Sequence, residues 1–104
     1  MVGAGAGAAG VAYVSGALEK NFDTTVKDIY EASSKAMDDL KYVVDKKELK
    51  DHLAVIKGHD SQKTGASIVI ESLTEKASKV RIRVSLFGNQ ERSLAILNAI
   101  EKRL

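Results

Sequence analysis

The sequence predicts an α+β domain: an antiparallel β-sheet covered on one face by an N-terminal and a C-terminal amphipathic helix. Three observations carry that prediction. Val80, Ile82, Val84 and Leu86 alternate with Arg81, Arg83 and Ser85, the period-two pattern of a strand with one buried and one wet face. Val26, Ile29, Tyr30, Ser33, Met37 and Leu40 fall on one helical stripe, directly behind the capping oxygens of Asp23-Thr24-Thr25. Asn89, after Gly88, is a good N-cap for a second helix whose apolar face is Leu94, Ile96, Leu97, Ile100 and Leu104.

Along the chain, residues 1–12 form a Gly/Ala-rich spacer and residues 13–104 a single domain. Gly5-Ala-Gly7-Ala-Ala-Gly10 matches G-x-G-x-x-G by letters, but no strand can precede Gly5, so the match is chance. In the next stretch Val14, Leu18 and Phe22 fit a helical spacing, while Val14, Gly16, Leu18, Lys20 and Phe22 fit one face of a strand. A strand over 13–22 is favoured, because a helix start follows at once. The first helix then gives way to a short strand at 42–45 and a charged connection through Lys46, Lys47, Glu48, Lys50 and Asp51. A further apolar run covers 53–57, and the loop-like stretch Gly58–Gly65 separates it from two strands at 66–73 and 79–87. Only residues 74–78 join those two, so they pair as an antiparallel hairpin. Both helices are expected on the same apolar face of the sheet.

Bulk composition narrows the function classes. A chain of 104 residues holds one core and buries roughly 60–70% of its unfolded surface without staples. Sixteen Lys and Arg against fourteen Asp and Glu leave a net charge of +2, far from the basic excess of a nucleic-acid binder. The absence of cysteine excludes thiolate metal sites and Cys nucleophiles. Residues 1–18 carry no charge, yet Ala and Gly give little insertion energy and no basic n-region precedes a Leu-rich stretch, so a flexible linker is expected.

The residues with chemical potential have ordinary settings. His52 and His59 lack further metal ligands at a suitable spacing, and no serine stands in a G-x-S-x-G context. Asp38-Asp39, Asp45 and Glu48 lie beside lysines on polar faces. Neither an enzyme, a metal site nor a cofactor is therefore expected. Arg81 and Arg83 share a wet strand face, where Glu71 on the adjacent strand is expected to neutralise one of them. Five scattered aromatics (Tyr13, Phe22, Tyr30, Tyr42, Phe87) make no base-stacking platform. The one candidate site is an apolar pocket between helices and sheet, lined by Tyr30, Met37, Leu86 and Ile100.

The segment from Gly16 to Ser33 resembles the opening of helix-grip domains, the birch-pollen-allergen and lipid-transfer superfamily, where an edge strand turns into a helix with an aromatic in its first turns. This chain is short for that fold, which implies a reduced cavity. Over nearly its whole length the chain resembles a family of small uncharacterised bacterial envelope lipoproteins. The resembling features are the Gly/Ala run, Ala12-Tyr-Val-Ser-Gly-Ala-Leu-Glu19, Asp28-Ile-Tyr-Glu-Ala32, Arg81-Ile-Arg-Val84 with Phe87-Gly88, and Ile96-Leu-x-x-Ile-x-x-x-Leu104. In that family a lipidated cysteine precedes the Gly/Ala run; here Met1 stands in its place. The resemblance implies a domain held by an N-terminal lipid anchor at the outer membrane, facing the periplasm or the surface; a monomer is expected by default, with an unknown protein partner or an apolar ligand. It also implies a role in virulence for members from pathogens, and supplies no catalytic or binding residues.

Overall fold

The computed structural model describes residues 10–104. Its elements are β1 (Val11–Val14), β2 (Ala17–Phe22), α1 (Val26–Asp39), β3 (Val43–Leu49), β4 (Leu53–His59), β5 (Gly65–Thr74), β6 (Ala77–Val84) and α2 (Gln90–Arg103). The six strands form one antiparallel sheet in the order β1-β2-β6-β5-β4-β3. α1 carries the chain from β2 to the opposite edge of the sheet. The β3–β6 meander then returns strand by strand until β6 pairs with β2, so every strand-to-strand connection after α1 is a short hairpin.

The predicted architecture is the observed one. Cross-strand register stacks Leu18, Ile82, Ile68 and Ile56 in one row of the inner face, and Val80, Ile70 and Ala54 in the next. Ile29, Ala36 and Met37 of α1 and Ile96, Leu97 and Ile100 of α2 close over them, all almost fully buried. Each such large side chain contributes about 1.5–3 kcal/mol on leaving water. Both caps form as expected. The Thr25 hydroxyl accepts from the Asp28 amide, and the Asn89 side chain accepts from the Arg92 amide.

Several boundaries differ from the sequence reading, each for a physical reason. The stretch read as one strand over 13–22 is a hairpin, since Ser15 (φ 51°) and Gly16 (φ 85°) make a tight two-residue turn. β1 starts at Val11, so Val11 and Ala12, read as spacer, belong to the sheet, while residues 1–9 of that spacer lie outside the described residues. β3 continues through Lys46, Lys47 and Glu48, which were read as a connection; an edge strand faces solvent and tolerates such charges. The loop read over 58–65 is shorter, because β4 runs to His59 and β5 starts at Gly65. β6 stops at Val84. Ser85 turns left-handed (φ 66°), its amide donates to the Gly65 carbonyl (2.8 Å), and the alternation that was to carry Leu86 inward ends there.

The sheet has two distinct ends. At one end, the lower, lie the start of α1 and the β3–β4 and β5–β6 turns. At the other, the upper, lie the β1–β2 turn, the β4–β5 loop and the connection from β6 to α2.

Candidate functional site

The four residues expected to line an interlayer pocket do not come together. Met37 and Ile100 are sealed in the core with no exposed surface. Tyr30 is partly buried at its margin, with the Lys47 ammonium 5.5 Å from its ring centre. Leu86 is 81% exposed on the connection to α2, because β6 has already ended. Between helices and sheet the space is occupied by Ile29, Met37, Ile56, Ile68 and Ile96, each fully buried.

Space exists instead at the lower end. There the first turn of α1 (Thr25, Val26, Lys27), the β3–β4 turn (Leu49–His52) and the end of β5 (Ser72–Glu75) surround an open groove of about 800 Å³. Leu49 has inner-face parity, opposite Ala54, but lies beyond the reach of α1 and stays 42% exposed. Leu73 is comparably exposed where the β5–β6 register shifts. The result is an apolar floor of Val26, Leu49 and Leu73 under a rim of Lys27, Lys50, Asp51, His52 and Glu75. The Ser72 amide donates to the His52 carbonyl (2.9 Å), which ties the two turns that form one side. Sequence reading missed this site because its residues come from three separated turns. The only local signal was Leu49 and Leu73, two leucines bordering polar turns.

The second open feature is the face of the sheet opposite the helices. One of its rows runs Glu19, Arg81, Val69, Val55, Glu48, and the next runs Arg83, Ser67, Lys57, Lys46. Arg81 is neutralised by Glu19 of β2 (Nε to carboxylate 2.8 Å) and not by Glu71, which register sets opposite Lys79. Arg83 donates to the Ser15 carbonyl (2.7 Å) and meets no carboxylate in its row, so it stays a local excess of positive charge.

At the upper end a histidine and two carboxylates tie neighbouring elements together. His59 Nδ1 lies 2.8 Å from Asp45, pinning the β3 bulge to β4. Asp60 accepts from the Thr64 and Gln62 amides, and its other oxygen accepts from Arg92 (2.7 Å). The Thr64 amide first, and then the Arg92 guanidinium, hold the Asp60 carboxyl below its ordinary pKa. Arg92 also donates to the buried Tyr42 hydroxyl (2.6 Å), so one guanidinium clips the β4–β5 loop to α2 and to the end of α1. Among the described residues no group of three or more His, Asp or Glu gathers to hold a metal ion. No helix among them is long and apolar enough to cross a membrane.

The fold and its open surfaces define an α+β domain that spends its helices on one sheet face and leaves the other face and both ends accessible. The chain belongs to a family described as "Protein of unknown function (DUF3568)", whose profile matches residues 1–103. No curated protein matches it significantly.

Proposed function

We propose that the protein is a non-enzymatic bacterial envelope domain, lipid-anchored through its N-terminal Gly/Ala segment, that binds a partner as a monomer. The observation that carries the reading is the division of the sheet. One face is sealed by two helices, and the other carries uncovered rows of half-buried Glu, Arg, Val and Ser side chains with the exposed Lys57 and Lys46 at the end of one row. The lipoprotein-like features of the sequence supply the anchor, the outer-membrane location and the link to virulence. β1 fits this arrangement, since it brings the chain into the domain at an edge strand of the sheet. Metabolic labelling of the full-length product with a radioactive fatty acid, followed by membrane fractionation, tests the anchor. Label in the outer-membrane fraction is expected, and an unlabelled cytosolic protein overturns it. Pull-down from envelope extracts then tests the partner.

A second reading, carriage of a small apolar ligand, is favoured by the groove over Val26, Leu49 and Leu73. It also accommodates the helix-grip resemblance, with the ligand at the mouth of the helix–sheet layer and not within it. Native mass spectrometry of gently purified protein should then show an adduct that disappears on denaturation. The adduct should be absent from Leu73→Glu. A bare mass in both proteins overturns this reading.

A further inference from the structure

The two most exposed large apolar side chains among the described residues are neighbours, Leu86 at 81% and Phe87 at 88%. Their loop is held outward. The Ser85 amide is bonded to the Gly65 carbonyl, and Arg83 donates to the Ser15 carbonyl (2.7 Å) with a longer contact to the Leu86 carbonyl (3.5 Å). Behind Phe87, Gly88 (φ 89°) packs against the Gly16 backbone so closely that a methyl group there would lie 2.6 Å from the Gly16 Cα. Folding the pair inward would break these contacts, so the loop presents Leu86 and Phe87 as a wedge.

The surroundings of the wedge carry a charge sign. Arg83, Ser67, Lys57 and Lys46 form one row of the open face at this end, without a carboxylate, and Lys63 is exposed in the adjoining β4–β5 loop. Asp60 is ion-paired with Arg92, Asp45 is hydrogen-bonded to His59, and the exposed Glu91 lies in the first turn of α2, in the helix layer, so carboxylates flank the row and none stands within it.

We infer that the upper end of the domain docks on an anionic phospholipid surface, with Leu86 and Phe87 inserted among the headgroups and Lys46, Lys57, Lys63 and Arg83 facing the lipid phosphates. Two adjacent side chains are too small for an ordinary protein interface, which needs about 800 Å² per partner. They match the scale of interfacial insertion, where apolar burial and attraction of basic side chains to anionic lipid add. The contact is independent of any N-terminal anchor, because all its residues lie within the folded domain.

The chain contains no tryptophan, so Phe87→Trp places a single reporter at the wedge. Its emission should shift to the blue with vesicles of phosphatidylglycerol and phosphatidylethanolamine at low salt. It should stay unchanged with phosphatidylcholine alone and return toward its free value as salt is raised. Cosedimentation of the wild-type chain with the same anionic vesicles should weaken at least tenfold in Leu86→Ser/Phe87→Ser, and likewise in Lys57→Glu/Lys63→Glu. Circular dichroism checks that each variant is folded. Unchanged emission with anionic vesicles, or wild-type cosedimentation in the Leu86/Phe87 variant, overturns the inference. So does an equal shift with phosphatidylcholine. A blue shift that grows with protein concentration in the absence of lipid also overturns it and identifies a second copy of the chain as the occupant.

Discussion

Lys20 is a buried charged residue on the helix-covered face of the sheet, and its partner decides how much the domain loses when either is changed. Only 8% of Lys20 is exposed, and its ammonium is ion-paired with Glu101 of α2, whose side chain remains 24% exposed. The same ammonium lies 5.0 Å from the centre of the Phe22 ring. Glu101→Gln keeps the shape but leaves a buried cation facing a neutral amide. Breaking a fully buried pair in this way costs about 3–5 kcal/mol; partial access of water at Glu101 brings the expectation to about 2–3 kcal/mol. For a domain of this size that is a fall of roughly 10–20 °C in Tm. Lys20→Met removes the buried charge, keeps the stem packed and lets Glu101 turn to water, so it should cost about 1 kcal/mol or less. The double variant should lose no more than Lys20→Met alone, giving a coupling of about 2–3 kcal/mol in a double-mutant cycle measured by urea unfolding. The asymmetry is the test. Equal losses in the two single variants, or a coupling near zero, would refute the assignment of Lys20 as a desolvated charge held by α2.

Three further outcomes are expected. Gly88→Ala forces a side chain into the left-handed region and against the Gly16 backbone and the Tyr13 hydroxyl (2.6 Å); thermal melting should show a loss of at least about 2 kcal/mol. Gly65→Ala, whose added methyl would meet only the Gly58 carbonyl at 3.9 Å, is the control and should stay within about 0.5 kcal/mol. The carboxyls of Asp39, through its bidentate pairing with Arg103, and of Asp60, through the Thr64 amide and Arg92, sit below their ordinary pKa. A lowered folded pKa stabilises above the ordinary carboxylate range and is lost as pH falls through the folded value, so acid unfolding between about pH 5 and pH 2 should flatten in Asp39→Asn/Asp60→Asn. Ser33 and Ser93 bury hydroxyls without a partner, on α1 and α2 respectively; Ser33→Ala should be neutral or raise stability by up to about 1 kcal/mol in the same melts.

What the sequence made legible follows from how local each signal is. The stripe from Val26 to Met37, the cap at Asn89 and the alternation from Val80 to Val84 are set within a few residues. They placed both helices and the β5–β6 hairpin correctly. The Ser15-Gly16 turn is equally local, but Gly16 also fits the parity of a continuous strand, which hides it. The lysines of β3 look like a loop unless the strand is known to be an edge, which only the sheet order reveals. The alternation points Leu86 inward because the left-handed backbone of Ser85 leaves no mark in it. The groove and the Glu19–Arg81 pair depend on register between distant strands, and no pattern within one segment carries that information.

The edges of the sheet bear on where recognition takes place. β1 is four residues long, too short to template an added strand over more than a few hydrogen bonds. β3, at the other edge, is interrupted by a bulge between Val44 and Lys46 and carries Lys46 and Lys47. Short length, bulges and lysines are the devices by which sheets resist edge-to-edge pairing. Partner binding by strand addition is therefore disfavoured at both edges, and the surfaces left to recognise anything are the open face and the two ends. These differ in kind. The lower end offers a concave apolar groove with a rim of both charges, and the upper end a convex apolar wedge beside unpaired cations. A domain with a receptive end and an inserting end can hold a ligand and a lipid surface at once without either site obstructing the other. Variants at Leu73 and at Phe87 should accordingly act independently, each abolishing one interaction and sparing the other.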